Sequence, residues 1–158
     1  MKRADVLLAG GAVASLGAVA AALVTQHVYN MQPCAWCVLQ RLIFCSIAAA
    51  CVLGLLWRAP IGRRVAAGLA GLLALCGVAA ALWQHFVAAS AASCDLSLAE
   101  RIVGATGLDG RYPDVFMAMA SCADAKVNLA GLPYEFWSLG LFIALALAAL
   151  LVLRRPRQ

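Results

Sequence analysis

Apolar residues fall into four long runs, at about 6–28, 38–57, 65–87 and 136–153, with shorter polar stretches between them. Each run is long enough to cross a bilayer as a helix, since roughly 20 residues rising ~1.5 Å each span the hydrocarbon. The pattern predicts an all-α membrane protein: one domain over residues 1–158, built as a four-helix transmembrane bundle. The links at 29–37 and 58–64 are short, whereas 88–135 is the one long segment that is not uniformly apolar. Within that segment Asp95 and Ser97-Leu98-Ala99-Glu100 offer caps for a short helix near Arg101–Val103, and Gly104, Gly107 and Gly110 offer flexible points. The stretch Pro113–Ala120 reads either as an apolar helix in the membrane surface or as a loop packed on the bundle top. Gly10, Gly11, Ser15 and Gly17 suit close helix packing. A cleaved signal peptide is the rival reading of the first run, given Ala18-Val19-Ala20, but the run exceeds the roughly 7–15 residues of a signal core.

Composition agrees with the bilayer as solvent. The chain is 65% apolar and 12% charged, with a mean hydropathy of +0.93, far from a soluble domain of 158 residues. The net charge of +5 does not indicate nucleic acid, because the basic residues sit at span ends without interleaved aromatics. They orient the chain instead. Lys2, Arg3, Arg58, Arg63, Arg64, Arg154, Arg155 and Arg157 are eight of its twelve basic residues, and all flank the same ends of the runs. The positive-inside rule then places both termini in the cytoplasm and the links 29–37 and 88–135 outside. Tyr29, Trp36, Trp83, Tyr134 and Trp137 fall near the outer boundary, where amphipathic aromatics collect.

This orientation sorts the seven cysteines. Cys45, Cys51 and Cys76 lie within runs and read as small packing residues, whereas Cys34, Cys37, Cys94 and Cys122 lie outside. Outside a bacterial inner membrane, disulfides persist. Zinc is disfavoured because Cys94 and Cys122 do not form a second close pair. A structural Cys94–Cys122 bridge would restrict the unfolded chain by ~3–4 kcal/mol, while Cys34-Ala35-Trp36-Cys37 gains less from closure and has redox spacing. Pro33 places that pair at a helix N-terminus, where orphan N–H groups and the dipole favour a thiolate. Arg41, one turn below Cys37, either snorkels to headgroups or supplies positive charge to a membrane-level site. His85 lies at about the depth of Arg41 and is a second candidate for that site; His27 is similar but weaker, and Gln26 and Gln84 are candidate hydrogen-bond donors.

The arrangement Pro33-Cys34-x-x-Cys37-x-x-x-Arg41 at the top of a second run, with Cys94 and Cys122 between the third and fourth, resembles the DsbB family over essentially the whole chain. Ser93-Cys94-Asp95, Cys122-Ala123 and Leu129-Ala130-Gly131-Leu132-Pro133 carry the resemblance further, and Gln40 departs from it, since an acid is familiar there in the best-known members. The resemblance implies an inner-membrane thiol:disulfide oxidoreductase that reoxidises a DsbA-like periplasmic dithiol and reduces ubiquinone or menaquinone. It also implies resting disulfides Cys34–Cys37 and Cys94–Cys122, partner attack on Cys94, attack of Cys122 on Cys34, and Cys37 with Arg41 at the quinone. The alternatives are a vitamin K epoxide reductase-like enzyme, whose C-x-x-C typically lies in a later span, a non-enzymatic four-span adaptor with structural disulfides, and a small transporter, for which the runs hold too few polar residues.

Overall fold

The computed structural model describes residues 3–57, 59–88, 97–125, 128–129 and 131–154. Cys94, with Ser93 and Asp95, lies outside the described residues, as do Lys2, Arg58, Lys126, Ala130, Arg155 and Arg157. Four long helices form the body: α1 (Arg3–Val28), α2 (Ala35–Leu56), α3 (Pro60–Trp83) and α7 (Tyr134–Leu153). All four are long and apolar enough to cross a membrane, and the chain is an all-α four-span bundle. Their outward faces carry large apolar side chains such as Val13, Leu16, Leu72 and Leu147, which in water would be a liability and in lipid are solvated.

The helices begin earlier than hydropathy suggests. Pro60 opens α3 as its first residue, where a missing N–H and a fixed φ suit a helix start. The α3 axis then continues past Trp83 as a π-helical turn, Gln84–Ala88. A turn of that kind carries an extra residue and rotates the side chains that follow.

Neighbours pack in the ring α1–α2–α3–α7, with α7 returning to α1. Small residues set the spacing. Gly77 lies under the ring of Phe142, and Gly54 lies against Ala66, so closely that a Cβ on either glycine would overlap its neighbour. Phe142 is fully buried and stacks on Phe44 of α2, with ring centroids 4.1 Å apart and planes within 5°. Arg63 at the start of α3 pairs with Asp5 at the start of α1 (Nε–Oδ1 2.6 Å), and Arg64 donates to the Leu153 carbonyl at the end of α7 (3.5 Å). The described basic termini therefore share one end of the bundle.

At the other end, the described residues of the long segment form three short helices: α4 (Leu98–Thr106), α5 (Leu108–Arg111) and α6 (Pro113–Phe116). Ser97 caps α4 in a reciprocal box: its hydroxyl accepts from Glu100 N–H (3.3 Å), and Glu100 accepts from Ser97 N–H (2.7 Å). Gly107, at φ +67°, ends α4 in the left-handed region. Ala99 and Val103 bury the α4 face that packs on α2. Helix around Arg101–Val103 is thus present and longer than expected. Pro113–Ala120 is not one continuous helix: it makes a single turn to Phe116, and residues 117–119 are irregular. A two-residue antiparallel pair, β1 (Asn128–Leu129) with β2 (Leu132–Pro133), leads into α7.

Replacing Gly77 by alanine forces a methyl group into the Phe142 ring and should cost about 1–3 kcal/mol. Gly68→Ala, with open space at its Cβ, should be neutral or mildly stabilising through helix propensity. Thermal unfolding of both variants in the same detergent checks the contrast; equal midpoints would contradict the packing.

Candidate functional site

Cys34 is the N-cap of α2, in extended backbone, and its sulfur accepts the N–H of Cys37 (3.4 Å). The two sulfurs lie 2.9 Å apart. The capping geometry puts both thiols among the unpaired N–H groups of a helix start, as the Pro-Cys-x-x-Cys spacing suggests.

The segment after α6 then lies along this helix start. The N–H groups of Met119 and Ala120 both donate to the Pro33 carbonyl (2.9 and 3.3 Å), and Ala120 forms a parallel bridge with Cys34. Two residues on, Cys122 meets Cys34, whose thiol donates to the Cys122 sulfur. That hydrogen bond lowers the pKa of Cys122 against the opposing effect of burial, and the N–H of Trp36 adds to the lowering. Cys34 is pushed up, first because its proton is committed to Cys122, then by its bond to Cys37 and by burial. The structure therefore brings together Cys34, Cys37 and Cys122.

On the other side of Cys37 is a cavity of about 280 Å³ between α1, α2 and α7, whose wall includes Cys37, Arg41, Gln40, Gln84, Glu135 and Trp137. Arg41 does not snorkel. It is 6% exposed, and its Nη1 donates to Gln26 Oε1 (2.6 Å) and the Val115 carbonyl (3.0 Å), while Nη2 donates to the Ala22 carbonyl (3.3 Å). Gln26 in turn donates to the Asp114 carbonyl (3.1 Å). Gln84 takes a different role: its Nε2 donates to the Cys37 sulfur (3.3 Å), and its Oε1 accepts from Gln40 Nε2 (2.7 Å). Gln26 thus serves the guanidinium and Gln84 the thiol, a division that spacing alone does not reveal.

His85 stands one step back. Its Nδ1 lies 2.8 Å from Glu135 Oε1, and its ring meets Phe86 and Phe136 at 4.9 and 4.7 Å between centroids. Glu135 lines the cavity; His85 is not on the described wall. Glu135 was not singled out from sequence, because an acid at the start of a helix ordinarily faces water. On the opposite side, a larger groove of about 860 Å³ between α2 and α3 is lined by Cys122, Trp36 and Trp83 among others. The two tryptophans approach to 6.2 Å between centroids.

The family model described as "Disulfide bond formation protein DsbB" matches residues 4–152. The chain is similar to Disulfide bond formation protein B of Herminiimonas arsenicoxydans, with 34% identity over 148 residues, 93% of each chain. The protein of that name from Nitrosospira multiformis is 33% identical over 141 residues, 87% of this chain and 83% of its own. The one from Dechloromonas aromatica is 32% identical over 149 residues, covering 90% and 88%.

Two outcomes follow from this geometry. Alkylation of Cys122 should rise with pH through a range below that of an ordinary thiol (about 8.5), because its thiolate is the form that accepts the Cys34 hydrogen bond. Cys34→Ala, which removes the donor, should move the rise toward the ordinary range; iodoacetamide rates against pH in a chain keeping only the relevant thiols test this, and an unmoved profile would refute the pairing. Arg41→Met should leave buried acceptors unpaired, at about 1–3 kcal/mol, and loosen the segment around Val115, read as faster amide exchange at 114–119.

Proposed function

The chain belongs to the DsbB family of disulfide bond formation proteins, and on that premise we propose that it oxidises a DsbA-like dithiol partner and passes the two electrons to a membrane quinone. At the coarser level it is a multi-pass membrane protein and a disulfide-forming oxidoreductase. The family's activity stands against the adaptor reading with purely structural disulfides. The positive-inside count supports cytoplasmic termini and an outward cysteine end, in a bacterial inner membrane.

One observation carries the finer reading. The Cys34–Cys37 pair has Cys122 on one side and the cavity with Arg41 on the other. An exchange centre needs this arrangement, with one face for incoming thiol chemistry and another for the acceptor.

In the proposed sequence the partner's thiolate attacks Cys94 of a Cys94–Cys122 disulfide, and Cys122 leaves as a thiolate. The Trp36 N–H, which donates to the Cys122 sulfur in the described geometry, supports that leaving-group role, since a lower pKa makes a better leaving thiolate. Cys122 then attacks Cys34, the Cys34–Cys37 bond breaks, and Cys37 leaves as a thiolate. The partner's second thiol resolves the mixed disulfide. Gln84 holds the Cys37 sulfur through its amide, and Gln40 holds Gln84.

The cavity suits a quinone head. It is walled mainly by apolar side chains, with a few convergent polar groups, the composition expected of a small-molecule site. A bound quinone would supply a two-electron, two-proton acceptor. Arg41, already held rigid by three hydrogen bonds, offers fixed positive charge where negative charge develops on an oxygen. DsbA lies at about −120 mV, so only a strongly oxidising acceptor takes its electrons downhill.

Purified protein mixed with a short-chain ubiquinone or menaquinone and a reduced C-x-x-C partner should bleach the quinone absorbance, with one partner disulfide formed per quinone. Cys37→Ser should abolish turnover while the thermal midpoint is kept. A quinone spectrum that stays unchanged with the unsubstituted protein overturns the reading.

A further inference from the structure

Thiol–disulfide exchange carries electrons inward without protons: Cys37 is left as a thiolate when the Cys34–Cys37 bond breaks. The overall reaction nevertheless balances in both. The partner dithiol loses two electrons and two protons, and the quinone gains two of each. The protons released outside need their own way into the cavity, and the sulfur chain does not supply one.

Of the ionisable side chains described on the cavity wall, Cys37, Arg41, Tyr134 and Glu135, only one is suited to donate. Cys37 is the electron carrier. Arg41 does not release its proton in proteins, and a phenol is a far weaker acid than a carboxyl group. Glu135 is 7% exposed, and an ionisable group inside an apolar bundle is costly unless it has a partner and a use. Its partner is His85, at 2.8 Å through Nδ1. The His85 side chain is 32% exposed and sits on the π-helical turn near the end of the α3 span. Its two aromatic neighbours, Phe86 and Phe136, hold the ring by edge contacts and carry no charge that competes for the carboxylate. The pair thus runs from the cavity wall to a partly exposed ring, and imidazole can take a proton at one nitrogen and give one from the other.

We propose that Glu135 is the proton donor of the cavity and that His85 reloads it from the outer surface. The proposal rests on the cavity being the quinone site. Glu135 gives its carboxyl proton to the reduced acceptor's oxygen. The carboxylate takes the Nδ1 proton of His85 while Nε2 takes one from water, and the ring's return to its Nδ1–H tautomer readies a second passage, so two passages deliver the two protons that the acceptor needs. His85 in this role is a relay behind the wall.

The test separates proton delivery from binding and from folding. Quinone affinity is read by tryptophan fluorescence quenching with a short-chain ubiquinone, fold by thermal melting, and turnover against pH by quinone absorbance. Glu135→Gln keeps the shape and the hydrogen bond to His85. It should bind the quinone within twofold of the parent, yet turn over about 100-fold more slowly, the usual scale of general-acid catalysis. Glu135→Ala should be equally slow and recover in added acetate, which brings a carboxyl into the vacated space. Glu135→Asp should recover part of the rate, and His85→Asn should slow turnover with quinone affinity unchanged. A Glu135→Gln rate within twofold of the parent, a fall in rate matched by an equal fall in affinity, or no rescue by acetate would each overturn the proposal. A parent protein that binds or reduces no quinone would remove the functional reading itself, and this proposal with it.

Discussion

The guanidinium of Arg41 sits inside an apolar bundle, where an unpaired cation would be strongly destabilising. It is tolerated because α1 turns the Ala22 carbonyl and Gln26 toward it, and the short helix α6 lays the Val115 carbonyl over it. Those acceptors belong to segments far apart in sequence. Satisfying one charge therefore ties α1 to α2 and pins the long connection onto the bundle. With Val115 held, Met119 and Ala120 reach the Pro33 carbonyl, and Cys122 arrives beside Cys34. The cost of burying one cation thus organises the thiol site.

The remaining polar groups follow the same economy with neutral amides. Gln40 and Gln84 are 4% and 5% exposed, and each amide can donate and accept at once. A carboxylate at either position could not do both: an acid at 40 could not donate to Gln84 while ionised, and an acid at 84 would set a negative charge against the Cys37 sulfur. The departure at Gln40 from the acid familiar in the best-known family members thus has a local reason, because the amide is what orients its neighbour.

Much of this protein was legible in one dimension. Four runs of apolar residues, the basic clusters at alternate ends and the Pro-Cys-x-x-Cys-x-x-x-Arg order led to the four-span bundle and to Cys34, Cys37 and Arg41 as neighbours, and the resemblance to the DsbB family brought Cys122 to them. Cys94 lies outside the described residues, and His85 falls one residue behind the cavity it was expected to reach. The long connection was half legible. Ser97 and Glu100 announce a capping box, but Pro113–Ala120 has helix-compatible residues and is made irregular after Phe116 by backbone bonds to Pro33 that no local propensity encodes.

Hydropathy and charge along the chain determined which segments enter the bilayer and the predicted orientation, because transfer from water to hydrocarbon depends on composition over about twenty residues and hardly on their order. The chemistry of the cavity depends on azimuth, on which side of a helix each residue faces and what stands opposite. Only the tertiary structure decided that Gln26 serves Arg41, that Gln84 serves Cys37, and that Glu135 turns inward to His85. A π-helical turn over Gln84–Ala88 changes the angular sequence at the place where these residues sit. The pattern of apolar and polar residues through that turn looks the same as in an ordinary helix.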